Sequence, residues 1–277
     1  MKLRRSSQTE PSNQGSYDFL AELENYSWVW AGWINPPYTK TSEIIAIRGA
    51  LRARPEKPLL LKEFLREEQA AKLSEIVRNI ALWKRVHAVL VSSGAVEEVE
   101  ESHWSSVPAE ERWYRHDMAR PIDGLIHGPE SLVGKDREFF ENFLVFTIFG
   151  PVFRSWLSTV LGRSLDPLAA LEIARYQEGD FIVPHSDFID SKVLGVNIYL
   201  DKDWNAKKGG CLNFINGAGQ TYALEPRYNS LSLIPIAHDC FHSVAPWKST
   251  RPGRYTVSLG YRLPEPTSAT GLDELRN

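Results

Sequence analysis

The stretch Pro184-His185-Ser186-Asp187-Phe188 places a histidine and an aspartate two positions apart. On an extended chain, positions i and i+2 point to the same side. The imidazole and the carboxylate can then converge on one hard or borderline metal ion. A mutually hydrogen-bonded pair is the plain alternative for such a short pattern. A metal centre needs a third ligand from a segment folded back across the first. His238 in "AHDC" and His242 in "FHSVAPW" are the candidates.

Arg254 stands twelve residues after His242 and opens the β-prone segment "RYTVSLGYRL". Alternation puts Arg254, Thr256, Ser258 and Gly260 on one face and Tyr255, Val257, Leu259 and Tyr261 on the other. A buried arginine needs a carboxylate, and no acid shares its strand face. A structural ion pair or a bound dicarboxylate would supply one. Two histidines and one carboxylate leave three positions on an iron ion open. A 2-oxo acid can chelate through two of them and O2 can take the third, while the arginine grips the distal carboxylate. The same ligand types also hold catalytic zinc. A zinc hydrolase has no need of Arg254 as an anchor.

The elements that must position these residues change character near residue 169. From there, "LEIARYQ", "KVLGVNIYLD", "GCLNFI", "QTYALEP", "SLSLIPI", "FHSVAPW" and "RYTVSLGYRL" are short, β-prone and separated by turns such as "NGAG" and "RPG". Seven strands without intervening helices predict an antiparallel sandwich or barrel. In "KVLGVNIYL", Asn197 and Tyr199 share one face and Val196, Ile198 and Leu200 the other. A polar lumen and an apolar outside packed on helices would explain both alternations. Those helices are read from "REEQAAKLSEIVRNI", "DREFFENFLVFTIFG" and the segment restarted by Pro151. "PLLLKEFL" reads as a short strand and turn. Residues 98–135 read as irregular, and 17–57, with "YSWVWAGWINPPYTK", as an ordered extension wrapped on the surface rather than a lid over substrate.

The pieces "RYQEGDFIVPHSD", "YLDKDWNAKKGGCLNF", "EPRYNSLSLIPI", "FHSVAP" and "RYTVSLGY" together resemble the prolyl-hydroxylase-like Fe(II)/2-oxoglutarate-dependent dioxygenases. The resemblance implies an α+β fold: a double-stranded β-helix (a jelly-roll, cupin-like barrel) with packed N-terminal helices. It implies His185, Asp187 and His242 as iron ligands and Arg254 as the 2-oxoglutarate anchor. Tyr176 and Tyr199 match tyrosines lining the cosubstrate pocket, core packing being their alternative role. Asn197 and Leu212 are candidate lumen residues. Trp104, Trp113, Tyr114, Arg115 and Arg120 fall where the family often carries a mobile loop over the iron, and are candidate substrate contacts. Lys202, Asp203, Trp204, Gly209 and Gly210 are read as shaping a turn. His87, His103, His116 and His127 have no partner at ligand spacing, and Cys211 and Cys240 read as packing residues.

With the carboxylate ligand intact, the implied reaction is hydroxylation of an unactivated C–H bond, with Fe(II), 2-oxoglutarate, O2 and ascorbate as cofactors. The expected substrate is amino-acid-like or a natural product, free or on a carrier protein. A peptidyl proline and a catalytically inactive ligand-binding barrel are the alternatives. Expected domains are an extension over 1–57 (1–16 disordered), a dioxygenase domain over 58–265 and a tail over 266–277. Within the dioxygenase domain, helical support spans 58–165 and the barrel 169–263. The formal net charge of −3 gives no electrostatic footprint for nucleic acid or an anionic membrane. No run approaches the roughly 18 apolar residues of a membrane span. Two cysteines and an N-terminus without an apolar signal stretch fit a cytoplasmic location.

Overall fold

The computed structural model describes residues 32–81, 83–119, 126, 132–188 and 192–264. The strands are β1 (Leu59–Leu61), β2 (Lys84–Leu90), β3 (Val96–Glu98), β4 (Arg112–Ala119), β5 (Asp166–Tyr176), β6 (Phe181–His185) and β7 (Lys192–Tyr199). They continue with β8 (Leu212–Ile215), β9 (Thr221–Leu224), β10 (Ser230–Pro235), β11 (Phe241–Val244) and β12 (Gly253–Arg262). The strand order is β1-β10-β7-β12-β5-β4-β6-β11-β8-β9, with antiparallel pairing throughout. Two facing layers, β1-β10-β7-β12-β5 and β6-β11-β8-β9, are joined along one side by β4. That strand pairs Asp117 with Arg175 of β5 and Tyr114 with Ile182 of β6. This nearly closed barrel is the double-stranded β-helix that the resemblance implied. All seven strands read from the β-prone runs are present.

Helices cover the apolar face of the first layer. They are α1 (Thr41–Ala53), α2 (Glu67–Arg78), α4 (Gly134–Leu144) and α5 (Val152–Leu161), with a π-helical turn, Val145–Phe149, between the last two; the short α3 (Glu101–Ser106) lies instead against β2, its Trp104 beside His87. In α2, Ala70, Leu73, Ile76 and Val77 form the buried stripe, and Glu67, Glu68 and Arg78 complement the helix dipole. Phe140, Phe143, Phe146, Phe153 and Trp156 pack with Val196, Ile198, Val257 and Tyr261 from the outer faces of β7 and β12. Period-2 alternation thus sends Val257, Leu259 and Tyr261 to this core, and Arg254, Ser258 and Gly260 to the lumen.

Three expectations need correction. Residues 58–165 carry more than helices and the short strand expected in "PLLLKEFL", which is β1: β2, β3 and β4 fall there too. The stretch 98–135 is not irregular: α3 and β4 lie within it. The described part of 17–57 carries a helix, α1, that its Trp/Pro-rich approach did not suggest. It does pack on the body, with Trp33 stacked on Phe146 at 5.0 Å and the carbonyl of Tyr38 accepting from Trp156 Nε1 at 2.9 Å. Among the described residues, none of this segment lines the lumen pocket. Residues 1–31 and 265–277, including Trp28 and Trp30, lie outside the described residues.

Candidate active site

His185 ends β6 and His242 sits directly opposite it on β11, in register. Antiparallel pairing brings the two rings to 4.3 Å between centroids. Asp187 follows His185 by two residues, and one ligand atom from each of the three lies within 4.8 Å of the others. The open choice between His238 and His242 is resolved by position. The His238 side chain is 80% exposed and faces Asp239 and Phe188.

Burial and neighbouring charges set the protonation of the three side chains. His185 Nδ1 lies 2.9 Å from the carbonyl oxygen of Val183, which can only accept. That bond places the proton on Nδ1 and turns Nε2 toward Asp187, 3.4 Å away. Burial and the neighbouring His185 push the His242 pKa down to about 4, so its ring is neutral with a lone pair to offer. Burial alone would raise Asp187. The hydrogen bond from His185 and the positive charge of Lys192 outweigh burial and hold the carboxyl well below the usual range. Lys192, at the start of β7, puts Nζ 2.5 Å from Asp187 Oδ2. Burial alone would lower the His185 pKa, but its hydrogen bond to Asp187 outweighs that and raises it. Once the proton it shares with Asp187 gives way to a metal, the two imidazoles and the ionised carboxylate are the donor set that Fe(II) accepts in a 2-His-1-carboxylate centre.

Arg254 lies in the same pocket, of about 520 Å³. It is 2% exposed. Its guanidinium sits over the rings of Tyr176 (4.7 Å) and Tyr199 (5.7 Å), donates through Nε to Gly210 O (2.5 Å) and through Nη1 to Thr256 Oγ1 (3.3 Å). Burial between two aromatic faces suits a guanidinium that receives an anion. The fit to a dicarboxylate is therefore good: a cationic fork at the deep end and a metal triad in one cavity.

The backbone that aims Arg254 is specialised. β12 is irregular between Gly253 and Thr256, and Arg254 adopts φ +50° there. A non-glycine residue held in this region costs about 1–3 kcal/mol and persists only where its surroundings fix it. Asp201 supplies the fixing, accepting the Arg254 N–H at Oδ2 (2.8 Å), and the Asp203 N–H (3.0 Å) and Arg78 Nη2 (3.2 Å) at Oδ1. Gly253 is required because a Cβ there would come within 2.5 Å of Asp201 Oδ2 and of the Trp247 ring. A Cβ on Gly210, which sits at φ +69°, would meet Arg254 Cδ at 2.9 Å. Gly210 therefore does more than admit a strand: it makes room for the anchor and its carbonyl accepts the Nε–H.

Of the other candidates, Asn197 and Leu212 line the pocket. Trp113 approaches it, its ring 6.5 Å from His185. Trp104 does not: it is 4% exposed on α3, with Arg112 and Arg115 over its ring at 4.4 and 4.8 Å. Arg115 donates to Asp180 at 2.9 Å, within a network of Arg85, Asp117 and Arg175. Tyr114 hydrogen-bonds Glu98 at 3.4 Å. These three serve the β2–β4 sheet, not a loop over the metal site. Arg120 and His127 lie outside the described residues. Two residues were missed. Lys192 had no motif to mark it. His116 is buried on β4, its ring stacked on Tyr176 at 5.5 Å and 15°, on the strand that joins the two layers.

The comparisons with known proteins point the same way. Residues 171–261 match the 2OG-Fe(II) oxygenase superfamily. Prolyl 3-hydroxylase OGFOD1 from Mus musculus is 27% identical over 112 residues, which cover 38% of this chain and 21% of that protein. Among solved structures, a prolyl hydroxylase from Trichoplax adhaerens, in complex with a hypoxia-inducible-factor oxygen degradation domain peptide, superposes with TM-score 0.54 at 17% identity. It covers 80% of this chain and 93% of that one. The non-heme alpha-ketoglutarate-dependent epimerase SnoN from nogalamycin biosynthesis gives 0.52 at 14% identity, covering 86% and 95%. Residues 171–261 are thus similar to the 2OG-Fe(II) oxygenase superfamily, and the fold is the one these prolyl hydroxylases and other 2-oxoglutarate-dependent enzymes share.

Proposed function

We propose that the chain hydroxylates an unactivated C–H bond of an amino-acid-like or natural-product substrate, releasing succinate and CO2. The observation that carries this reading is the single pocket holding His185, Asp187, His242 and Arg254. The two imidazoles and the Asp187 carboxylate would hold Fe(II). Arg254 would take the distal carboxylate of 2-oxoglutarate bidentately, with Tyr176 and Tyr199 as the walls beside it. Bound Fe(II) supplies the oxidising chemistry, in which 2-oxoglutarate loses CO2, one atom of O2 enters succinate and the other enters the substrate.

The chain's own contribution is placement and exclusion of water. Burial of Arg254 strengthens its attraction for the cosubstrate relative to bulk water. It also fixes the cosubstrate's far end, so that only the near end reaches the triad. The His185 Nδ1–H to Val183 bond keeps Nε2 aimed at the metal position. The cavity volume suits a small substrate and its cosubstrate together. Ascorbate would serve as reductant, and a carrier protein remains within the reading as the form in which substrate arrives. We place the enzyme in the cytoplasm, without nucleic acid or membrane as partner.

A peptidyl proline is the second reading, favoured by the prolyl 3-hydroxylase relative, of which the chain spans about one fifth. An inactive binding barrel is disfavoured by the donor set and anchor together. The test is succinate formation by anaerobically purified protein given Fe(II), 2-oxoglutarate, ascorbate and then air, with free amino acids, their carrier thioesters and proline-containing peptides as stimulants. Stimulation by amino acids or their carrier thioesters supports the first reading. Stimulation only by peptides replaces it with the second. Protein that binds iron and 2-oxoglutarate but never forms succinate is the inactive barrel.

A further inference from the structure

Asp187 is the member of the triad with two equivalent donor atoms. Its Oδ1 lies 3.4 Å from His185 Nε2, and its Oδ2 lies 3.7 Å from His242 Nε2. Each oxygen has an imidazole nitrogen near it, so the histidines alone do not single one out. A carboxylate so placed can bind a metal through one oxygen or through both. The difference decides what else can bind. Two histidines and one carboxylate oxygen leave three positions on an iron ion open. A 2-oxo acid that chelates through two of them leaves one for O2. A carboxylate that chelated through both oxygens would fill that last position.

Lys192 distinguishes the two oxygens. Its Nζ sits 2.5 Å from Asp187 Oδ2, and its side chain, 17% exposed, lines the pocket of the triad. The stem reaches there from the start of β7 by crossing the inner face of β12 at Gly260. A Cβ on Gly260 would stand 3.1 Å from Lys192 Cε and 3.0 Å from Leu168 Cδ1. The missing side chain gives the stem its path between them. The residue type also suits the task. An arginine fork matches a carboxylate through both oxygens, whereas an ammonium is a compact point charge. It can hold one oxygen and leave the other to a metal.

We infer that Lys192 is a positioning residue for the metal site: by holding Asp187 Oδ2 it limits the carboxylate to one donor atom, Oδ1, and so keeps open the position that O2 needs. The inference rests on the oxygenase reading above and adds the side chain that sets the number of open positions.

The experiment uses the full chain, wild type and Lys192→Met, which keeps an unbranched stem and removes the charge. Each is loaded anaerobically with Fe(II) and 2-oxoglutarate, followed by the visible charge-transfer absorption of that complex. Each is then titrated with nitric oxide, a stand-in for O2 whose iron adduct is read by electron paramagnetic resonance. Thermal unfolding checks that the variant is folded. Lys192→Met is expected to keep the absorption band and to bind nitric oxide about tenfold to a hundredfold more weakly than the wild type, the scale for loss of a partner that orients a metal ligand. Where the methionine variant does not fold, Lys192→Gln, uncharged but polar, takes its place with the same expectation. Nitric oxide binding equal to that of the wild type overturns the inference, because the carboxylate then offers one oxygen without Lys192. Loss of the band in the variant overturns it as well, because Lys192 would then support the whole ligand set rather than select one oxygen. Absence of the band in the wild-type protein sinks the oxygenase reading itself, a distinct outcome, and the inference falls with it.

Discussion

Asp201→Asn tests the joint that aims the cosubstrate anchor. Asp201 is 3% exposed and accepts three hydrogen bonds, from the Arg254 and Asp203 backbones and from Arg78. Both of its oxygens are in use, so the joint needs two acceptors. Asparagine offers one acceptor oxygen and one NH2. Whichever way the amide turns, its NH2 meets an N–H. If it faces Arg254, a buried backbone donor is stranded, at about 1–3 kcal/mol. The loss of a charge partner for Arg78, itself about one third exposed, adds at most about 1 kcal/mol. The sum is about 1–4 kcal/mol. For a chain of this size that lowers Tm by roughly 2–16 °C. If Arg254 instead relaxes out of φ +50°, part of the loss is recovered and the guanidinium moves. 2-Oxoglutarate affinity should then fall at least about tenfold, the equivalent of 1.4 kcal/mol. Thermal unfolding and a 2-oxoglutarate titration on the Fe(II) protein read the two effects. Asp203→Asn is the control, because its side chain is 71% exposed, and it should stay within about 0.5 kcal/mol. An Asp201→Asn protein matching that control in both Tm and affinity would refute the reasoning.

Other expectations follow from the same contacts. Gly253→Ala should impair folding far more than Gly49→Ala, since a Cβ meets Asp201 and Trp247 at 2.5 Å in the first case and nothing within 4 Å in the second. Soluble yield and Tm check this. Burial, with Arg254 and Arg85 nearby, pushes the His116 pKa down from 6.5 to about 4. The unfolded chain therefore binds the proton first. The stability from neutral His116 is fully present above pH 6.5 and is lost as pH falls toward 4, at no more than about 1.4 kcal/mol per pH unit. His116→Phe keeps a ring on Tyr176 and removes a Nδ1 that has no partner among the described residues. It should flatten that segment of the stability–pH curve, as followed by urea unfolding. Trp156→Ala, at the centre of the helical layer, should cost about 3–5 kcal/mol without changing 2-oxoglutarate affinity in the fraction that remains folded.

How much could be read beforehand follows from which forces leave a pattern in sequence. β7 and β12 are legible because one face of each meets the helical core, so apolar residues recur at every second position. β4 is not, because "RWYRHDMA" buries charge instead. Asp117 pairs there with Arg85 and Arg175, and Arg115 with Asp180, a network that exists only once distant strands meet. β6 is interrupted by the exposed Pro184, which weakens any strand signal. His185, Asp187, His242 and Arg254 carry chemistry in their types and order, and the barrel brings all four into one pocket. Lys192 is an ordinary charge in sequence. Only the fold carries its stem past Gly260 to Asp187. His116 looked like a stray histidine for the same reason.

The most direct test of the central claim is an anaerobic absorption titration of the full chain with Fe(II) and 2-oxoglutarate, run beside Asp187→Ala and Arg254→Met. The account predicts a metal-to-ligand charge-transfer band in the wild-type protein. It also predicts loss of iron binding in Asp187→Ala, and retained iron with greatly weakened 2-oxoglutarate in Arg254→Met. A wild-type protein with no band, or an Asp187→Ala protein that keeps it, would contradict the assignment of this pocket.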